Sequence, residues 1–238
     1  MKFIAVIPAR WASSRFPGKP LAVLDDKPII QHVYHNAVNS GLFDKVIVAT
    51  DSQNILDTVH RFGGLAKLTD KKHRSGTDRI VEVCSMLDFD IVVNIQGDEP
   101  FLKKQTLSDL ISVFNDPDIQ VASLMHPIAN NIDDPNQVKV VCNNEKFALY
   151  FSRSPIPANR ENDPNVQYFG HIGVYAFRKI ALLKFVSLAQ SPLEKAEKLE
   201  QLRLIENGIP IKMINTDYSG FGIDTPQDLI KAQILFNK

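Results

Sequence analysis

Short, uninterrupted apolar runs alternate with amphipathic stretches through the first half of the chain. Phe3 to Ile7 is such a run and predicts a strand buried on both faces. After a polar loop, Pro28 opens a segment with Ile29, Ile30, Val33, Tyr34, Ala37 and Val38 at helical spacing, and Gly41 stands where a C-terminal cap belongs. Val46 to Ala49 reads as a second buried strand. Asp51 then starts a helix carrying Ile55, Leu56 and Val59, closed by Gly63-Gly64. Thr77 to Leu87 reads as a third helix and Ile91 to Ile95 as a further strand. Strands alternating with helices imply right-handed crossovers and a mainly parallel sheet.

The pattern loosens after Ala122. Val138 to Cys142, Ala148 to Ser152 and Ile172 to Phe177 are strand-like, with a turn-like Asn143-Asn144 between the first two, so hairpins are expected within the α/β core. Ser154 to Gln167 holds three prolines and three asparagines without apolar periodicity and predicts a long loop. Helical signal returns at Ile180, a strand at Ile209 to Ile214, and Thr225 to Phe236 forms a last helix with Pro226 in its first turn. The expectation is a single mixed α/β domain: a core of about residues 1–125 and 209–238, and an inserted hairpin-rich lobe of about residues 126–208.

Composition narrows the function classes. The 238 residues carry 27 Lys plus Arg against 27 Asp plus Glu, so neither nucleic acid nor an anionic membrane is expected as a partner. Cys84 and Cys142 lie far apart with no zinc spacing around either, which suits thiols in a reducing compartment. Pro8 and Arg10 interrupt the apolar start, so neither a signal peptide nor a membrane span is expected, and the cytoplasm is the expected location.

Open α/β sheets bind ligands at the carboxyl ends of their strands. The loop after the first strand, Pro8 to Pro20, holds Arg10, Arg15 and Lys19 with Ser13, Ser14 and Gly18. Fork-shaped Arg donors, a Lys point charge and close backbone approach suit a nucleoside triphosphate. It is not a Walker A loop, because Pro20 stands where Ser or Thr would bind magnesium. Gln96-Gly97-Asp98-Glu99-Pro100 follows a buried strand, and Gly222-Ile223-Asp224-Thr225-Pro226 precedes the last helix. Two Asp side chains facing one cleft would suit magnesium, although Asp224 reads equally well as a helix cap. Ser75 with Asp78 fits a capping box; Arg74 and the Ser75-Gly76 backbone could also wall a base pocket, where backbone groups tell cytosine from uracil.

The segments PARWASSRFPGKPL, HRSGTDR, VVNIQGDEP, ALYFSR, HIGVYAF, EKLEQLR and GIDTPQDL occur in that order, from about Phe3 to about Ala232. Together they resemble the 3-deoxy-manno-octulosonate cytidylyltransferase family, the CMP-Kdo synthetases. The resemblance implies a Rossmann-like nucleotidyltransferase fold with an inserted dimerisation and sugar-binding lobe, a homodimer, CTP as co-substrate and Mg2+ as cofactor. It implies transfer of CMP to the anomeric hydroxyl of an acidic eight-carbon sugar, Kdo, for lipopolysaccharide assembly. By the same resemblance Arg10, Ser14, Arg15 and Lys19 hold the triphosphate, and Arg74, Ser75, Gly76 and Gln96 surround the cytidine. Asp98 and Asp224 hold the metal and with Lys19 form the catalytic set. Arg153, His171, Tyr175, Glu200 and Gln201 contact the sugar, with Arg153 paired to its carboxylate. Trp11 departs from the Tyr the family most often has there. Two alternatives remain at this level: a cytidylyltransferase for another sugar acid, such as an amino analogue or a sialic acid, or a nucleotide-binding regulatory module without turnover.

Overall fold

A computed structural model describes residues 1–12, 15–73 and 75–236. The elements in chain order begin with β1 (Phe3–Ala9), β2 (Val23–Leu24), β3 (Lys27–Pro28), α1 (Ile29–Asn39), β4 (Lys45–Thr50), α2 (Gln53–Arg61), β5 (Ala66–Leu68), α3 (Gly76–Cys84), β6 (Ile91–Asn94) and α4 (Lys104–Ser112). They continue with β7 (Val121–Ile128), β8 (Lys139–Cys142), β9 (Ala148–Ser152), β10 (Tyr168–Arg178), α5 (Lys179–Ser187), α6 (Pro192–Glu197), α7 (Leu202–Glu206), β11 (Lys212–Asn215) and α8 (Pro226–Phe236). The chain divides into two compact units, Met1–Leu107 with Gly220–Lys238, and Ser108–Ser219.

In the first unit β6, β1, β4 and β5 lie side by side in that order, all parallel. Ile4, Ala5, Val6 and Ile7 are fully buried, because a central parallel strand is covered on both faces, and that burial explains their continuous apolar run. The strand runs further than the sequence suggests, through Pro8 and Ala9. Val6 accepts the Ile95 N–H at 3.1 Å, so Pro8, two residues on, turns its nitrogen to the same side. Pairing with β6 has ended by then, so no ladder donor is missing.

The cap of α2 is Ser52 and not Asp51. Ser75 and Asp78 form the expected capping box on α3: Asp78 N–H donates to the Ser75 hydroxyl at 3.1 Å and Ser75 N–H to the Asp78 carboxylate at 3.2 Å. Two further elements, β5 and α4, add to those read from the sequence.

In the second unit the order is β11, β7, β10, β8, β9. β11 runs parallel to β7 and the remaining neighbours are antiparallel. The hairpin of β8 and β9 matches expectation, with Lys146 at its turn in the left-handed region at φ 64°. β7 does not stand out in the sequence, because Ser123, His126 and Pro127 break its apolar run. The long helical stretch after Ile180 forms three short helices. Arg203 joins the last two by a two-pronged pair with the buried Glu194 carboxylate at 2.6 and 2.7 Å. Burial alone would raise the Glu194 pKa, yet Arg203 and the Ser191 N–H hold it below the usual carboxylate value. No helix among the described residues is long and apolar enough to cross a membrane.

Candidate active site

The loop after β1 closes on itself. Gly18 N–H donates to the Trp11 carbonyl at 3.1 Å, and Gly18 adopts φ 71°, which favours glycine. A Cβ at Gly18 would also stand 3.2 Å from the Trp11 indole. The loop is tied to neighbouring strand ends through Asp51, beyond β4: Trp11 N–H donates to one Asp51 oxygen at 3.1 Å and Arg79 to the other at 3.0 Å. The Arg79 guanidinium is nearly fully buried and also donates to the Thr69 hydroxyl. The side chain taken for a cap therefore anchors the loop.

Asp98 and Asp224 meet through backbone and side-chain contacts between their loops. Ile223 N–H donates to the Asp98 carbonyl at 3.0 Å, and Phe221 N–H to the Glu99 carboxylate at 3.3 Å. The α8 N-terminus is capped by Thr225 and Asp228, whose side chains and N–H groups pair at 2.8 to 3.2 Å. Asp224 is thereby released from the capping role that its sequence position allows. Its carboxylate instead accepts from Lys19 Nζ at 3.0 Å and from Arg15 at 3.0 Å, while Lys19 Nζ also donates to Asp98. Burial would lower the Lys19 pKa, but the Asp98 and Asp224 carboxylates raise it above the usual lysine value, so the ammonium stays charged.

These groups line a cleft of about 240 Å3. Arg10, Arg15, Lys19, Ser75, Gly76, Gln96, Asp98 and Asp224, all expected from the sequence, line it together, with Pro8, Ala9, Pro20, Arg79 and Gly97. Ser14 and Arg74 lie outside the described residues. Gly97 permits a close approach: a Cβ there would stand 2.9 Å from the Pro8 carbonyl. Arg79 and Gly97 carry no role in the sequence analysis, and Asp51 stands there only as a helix start. The signals were present: an arginine on the apolar face of α3, and two residues just past strand ends.

The other five expected residues lie in the second unit. His171 and Tyr175 are on β10 with ring centroids 5.3 Å apart, and the Phe151 ring meets His171 edge-on at 5.0 Å. Burial drives the His171 pKa down to about 3, so the imidazole is neutral. Burial, with the Glu200 charge nearby, holds the Tyr175 phenol well above its usual pKa. Its oxygen is buried without a hydrogen-bond partner among the described residues. Gln201 is buried at the start of α7. Arg153 ends β9 with its guanidinium turned to backbone carbonyls, Glu197 at 2.7 Å, Pro135 at 2.8 Å and Lys198 at 3.5 Å. These contacts use three of the five guanidinium N–H donors, and the other two, one on each terminal nitrogen, remain for the carboxylate pairing that the family resemblance implies.

Residues 4–214 match the family model described as cytidylyltransferase. A 3-deoxy-manno-octulosonate cytidylyltransferase of Flavobacterium johnsoniae is 54% identical, covering 99% of this chain and 98% of that protein. One of Christiangramia forsetii is 47% identical over 99% and 97%. The structure of a CMP:2-keto-3-deoxy-manno-octonic acid synthetase complexed with CTP superposes with a TM-score of 0.96 at 44% identity, covering 100% of this chain and 99% of that one. The mixed α/β architecture with its mostly parallel central sheet is thus that of a nucleotidyltransferase. With the carboxylate pair and the cationic loop at the same strand ends, the chain belongs to the 3-deoxy-manno-octulosonate cytidylyltransferase family.

Proposed function

We propose that the chain transfers CMP from CTP to the anomeric hydroxyl of 3-deoxy-D-manno-octulosonate, releasing pyrophosphate. The observation that carries this reading is the Lys19 ammonium held against both Asp98 and Asp224 in a cleft rimmed by Arg10 and Arg15. The sugar oxygen forms a bond to the α-phosphorus, the bond from that phosphorus to the bridging oxygen breaks, and the hydroxyl proton passes to solvent. Such a transfer depends on positioning and charge neutralisation and needs no covalent protein nucleophile.

A Mg2+ cofactor fits the residues present. Asp98 and Asp224 already share one cation, the Lys19 ammonium, so their oxygens converge on a point that favours positive charge. No cluster of three or more acidic, His or Cys ligands exists among the described residues, as expected for an ion that keeps water and phosphate oxygens in its shell. When bound, it would neutralise phosphate charge and polarise the α-phosphate. With the carboxylates turned to the ion, Lys19 and Arg15 can turn to the triphosphate. Ser75, Gly76 and Gln96 line the same cleft and would read the cytosine edge. In the second unit, His171, Tyr175, Glu200, Gln201 and Arg153 would take the sugar.

The reduced thiols of Cys84 and Cys142 support a cytoplasmic location, and the family resemblance supports a homodimer supplying activated sugar for lipopolysaccharide assembly. Purified protein should release pyrophosphate from CTP, magnesium and this sugar, and do so far more slowly with UTP or with sialic acid. No pyrophosphate under the first condition, or equal turnover with another sugar acid, would overturn the assignment.

A further inference from the structure

The second unit holds a buried hydroxyl that the mechanism above does not use. Ser123 on β7 is fully buried, and its Oγ lies 2.9 Å from the Val174 carbonyl, 3.3 Å from the Ile172 carbonyl and 3.0 Å from His171 Nε2. The arrangement follows from an irregularity in the sheet. Ile172 pairs with Leu124 and Tyr175 with Ser123, so Gly173 and Val174 are extra residues with no counterpart on β7. The Ser123 hydroxyl supplies the donor that the Val174 carbonyl does not receive from β7 at that bulge.

A serine hydroxyl has one proton, and a carbonyl can only accept. With that proton directed to Val174, Oγ turns lone pairs toward His171. An unprotonated Nε2 at 3.0 Å would set lone pair against lone pair, so Nε2 carries the hydrogen and donates to Ser123. The imidazole is neutral, because burial disfavours its charged form. Nδ1 is therefore left as an acceptor. The Tyr175 hydroxyl, its ring 5.3 Å from His171, is buried without a hydrogen-bond partner among the described residues. An acceptor on His171 and, among the described residues, an unpartnered buried hydroxyl on Tyr175 suit one class of ligand, a polyol whose hydroxyls both give and accept.

We propose that Ser123 is a positioning residue that fixes His171 as the Nε2–H tautomer and so presents Nδ1 to a hydroxyl of the acceptor sugar. The proposal rests on the reading that the second unit takes the sugar, and the test separates the two. In uniformly 15N-histidine-labelled protein, long-range 1H–15N correlation reports which ring nitrogen carries the proton, and a His171→Asn variant assigns the signal. The expected result is a protonated Nε2 and an acceptor-type Nδ1 in the unsubstituted protein. Ser123→Ala should shift the His171 nitrogens and raise the KM for the sugar about five- to tenfold, leaving the KM for CTP unchanged. Ser123→Thr should restore both readouts, whereas Ser123→Val, of similar bulk but without the hydroxyl, should not. A proton on Nδ1, or ring signals indifferent to Ser123→Ala, would overturn the role of Ser123. If the ring signals respond while the sugar KM stays unchanged in Ser123→Ala and His171→Asn alike, the sugar reading itself fails.

Discussion

The two units hold polar chemistry by opposite means. In the first, Lys19, Arg15, Asp98 and Asp224 are charged and satisfy one another, and each can exchange its partner for a phosphate or a metal ion. In the second, His171 and Tyr175 are half-buried and neutral, and their donor and acceptor positions are directional. A triphosphate is recognised by charge, which acts over distance and tolerates rearrangement. A sugar is recognised by hydrogen bonds, which require fixed tautomers and fixed angles. The difference also appears in what anchors each group: loops at parallel strand ends in one unit, an irregular β-ladder in the other.

The largest effect should come from breaking the charge pair. Asp98→Asn or Asp224→Asn should lower kcat about 100- to 1000-fold in a pyrophosphate-release assay, with calorimetric CTP affinity changed far less. Near-normal turnover in both variants would remove the carboxylates from the catalytic set. Next is Arg79→Met, which leaves Asp51 without its buried partner and should cost about 3 kcal/mol in urea unfolding. Adding Asp51→Asn should recover part of that loss. An unaltered unfolding midpoint in the single variant would show that the loop is held otherwise.

The neutral unit gives a pH signature. His171 has a folded pKa of about 3 against 6.5 in the unfolded chain, so between those values the unfolded state binds more protons. The stability that neutral His171 contributes is fully present above pH 6.5 and is lost as pH falls toward 3. His171→Asn should flatten this part of the stability profile, and two superimposable profiles would contradict the buried neutral imidazole. The smallest effect is Tyr175→Phe. Because the phenol has no partner among the described residues, urea unfolding should show stability unchanged or slightly raised, while the sugar KM rises about fivefold. A marked loss of stability would mean that the hydroxyl serves the fold.

The cleft at the strand ends was largely readable from the chain because its parts are local. Arg10, Arg15 and Lys19 share one loop, and Ser75-Gly76 and Gln96-Gly97-Asp98 each follow or open a regular element whose hydrophobic period announces it. Asp224 was ambiguous for the same reason: cap and ligand look alike locally, and only the Thr225–Asp228 pairing separates them. The partners of Arg153 are set by tertiary structure, since its guanidinium meets backbone carbonyls from residues far along the chain. Ser123 gave no sequence signal, because its role depends on a register shift between β7 and β10.

The alternation of strands and helices, the parallel sheet and the residue types at the strand ends were determined by the sequence itself. Periodicity and turn chemistry act over a few residues, so they can be read without knowing what lies across the fold. Tertiary structure alone decided that Lys19 meets Asp98 and Asp224, 79 and 205 residues away, and that Ser123 meets His171, 48 residues away. Those meetings follow from which strands lie side by side and in what register, and packing, not local propensity, sets both.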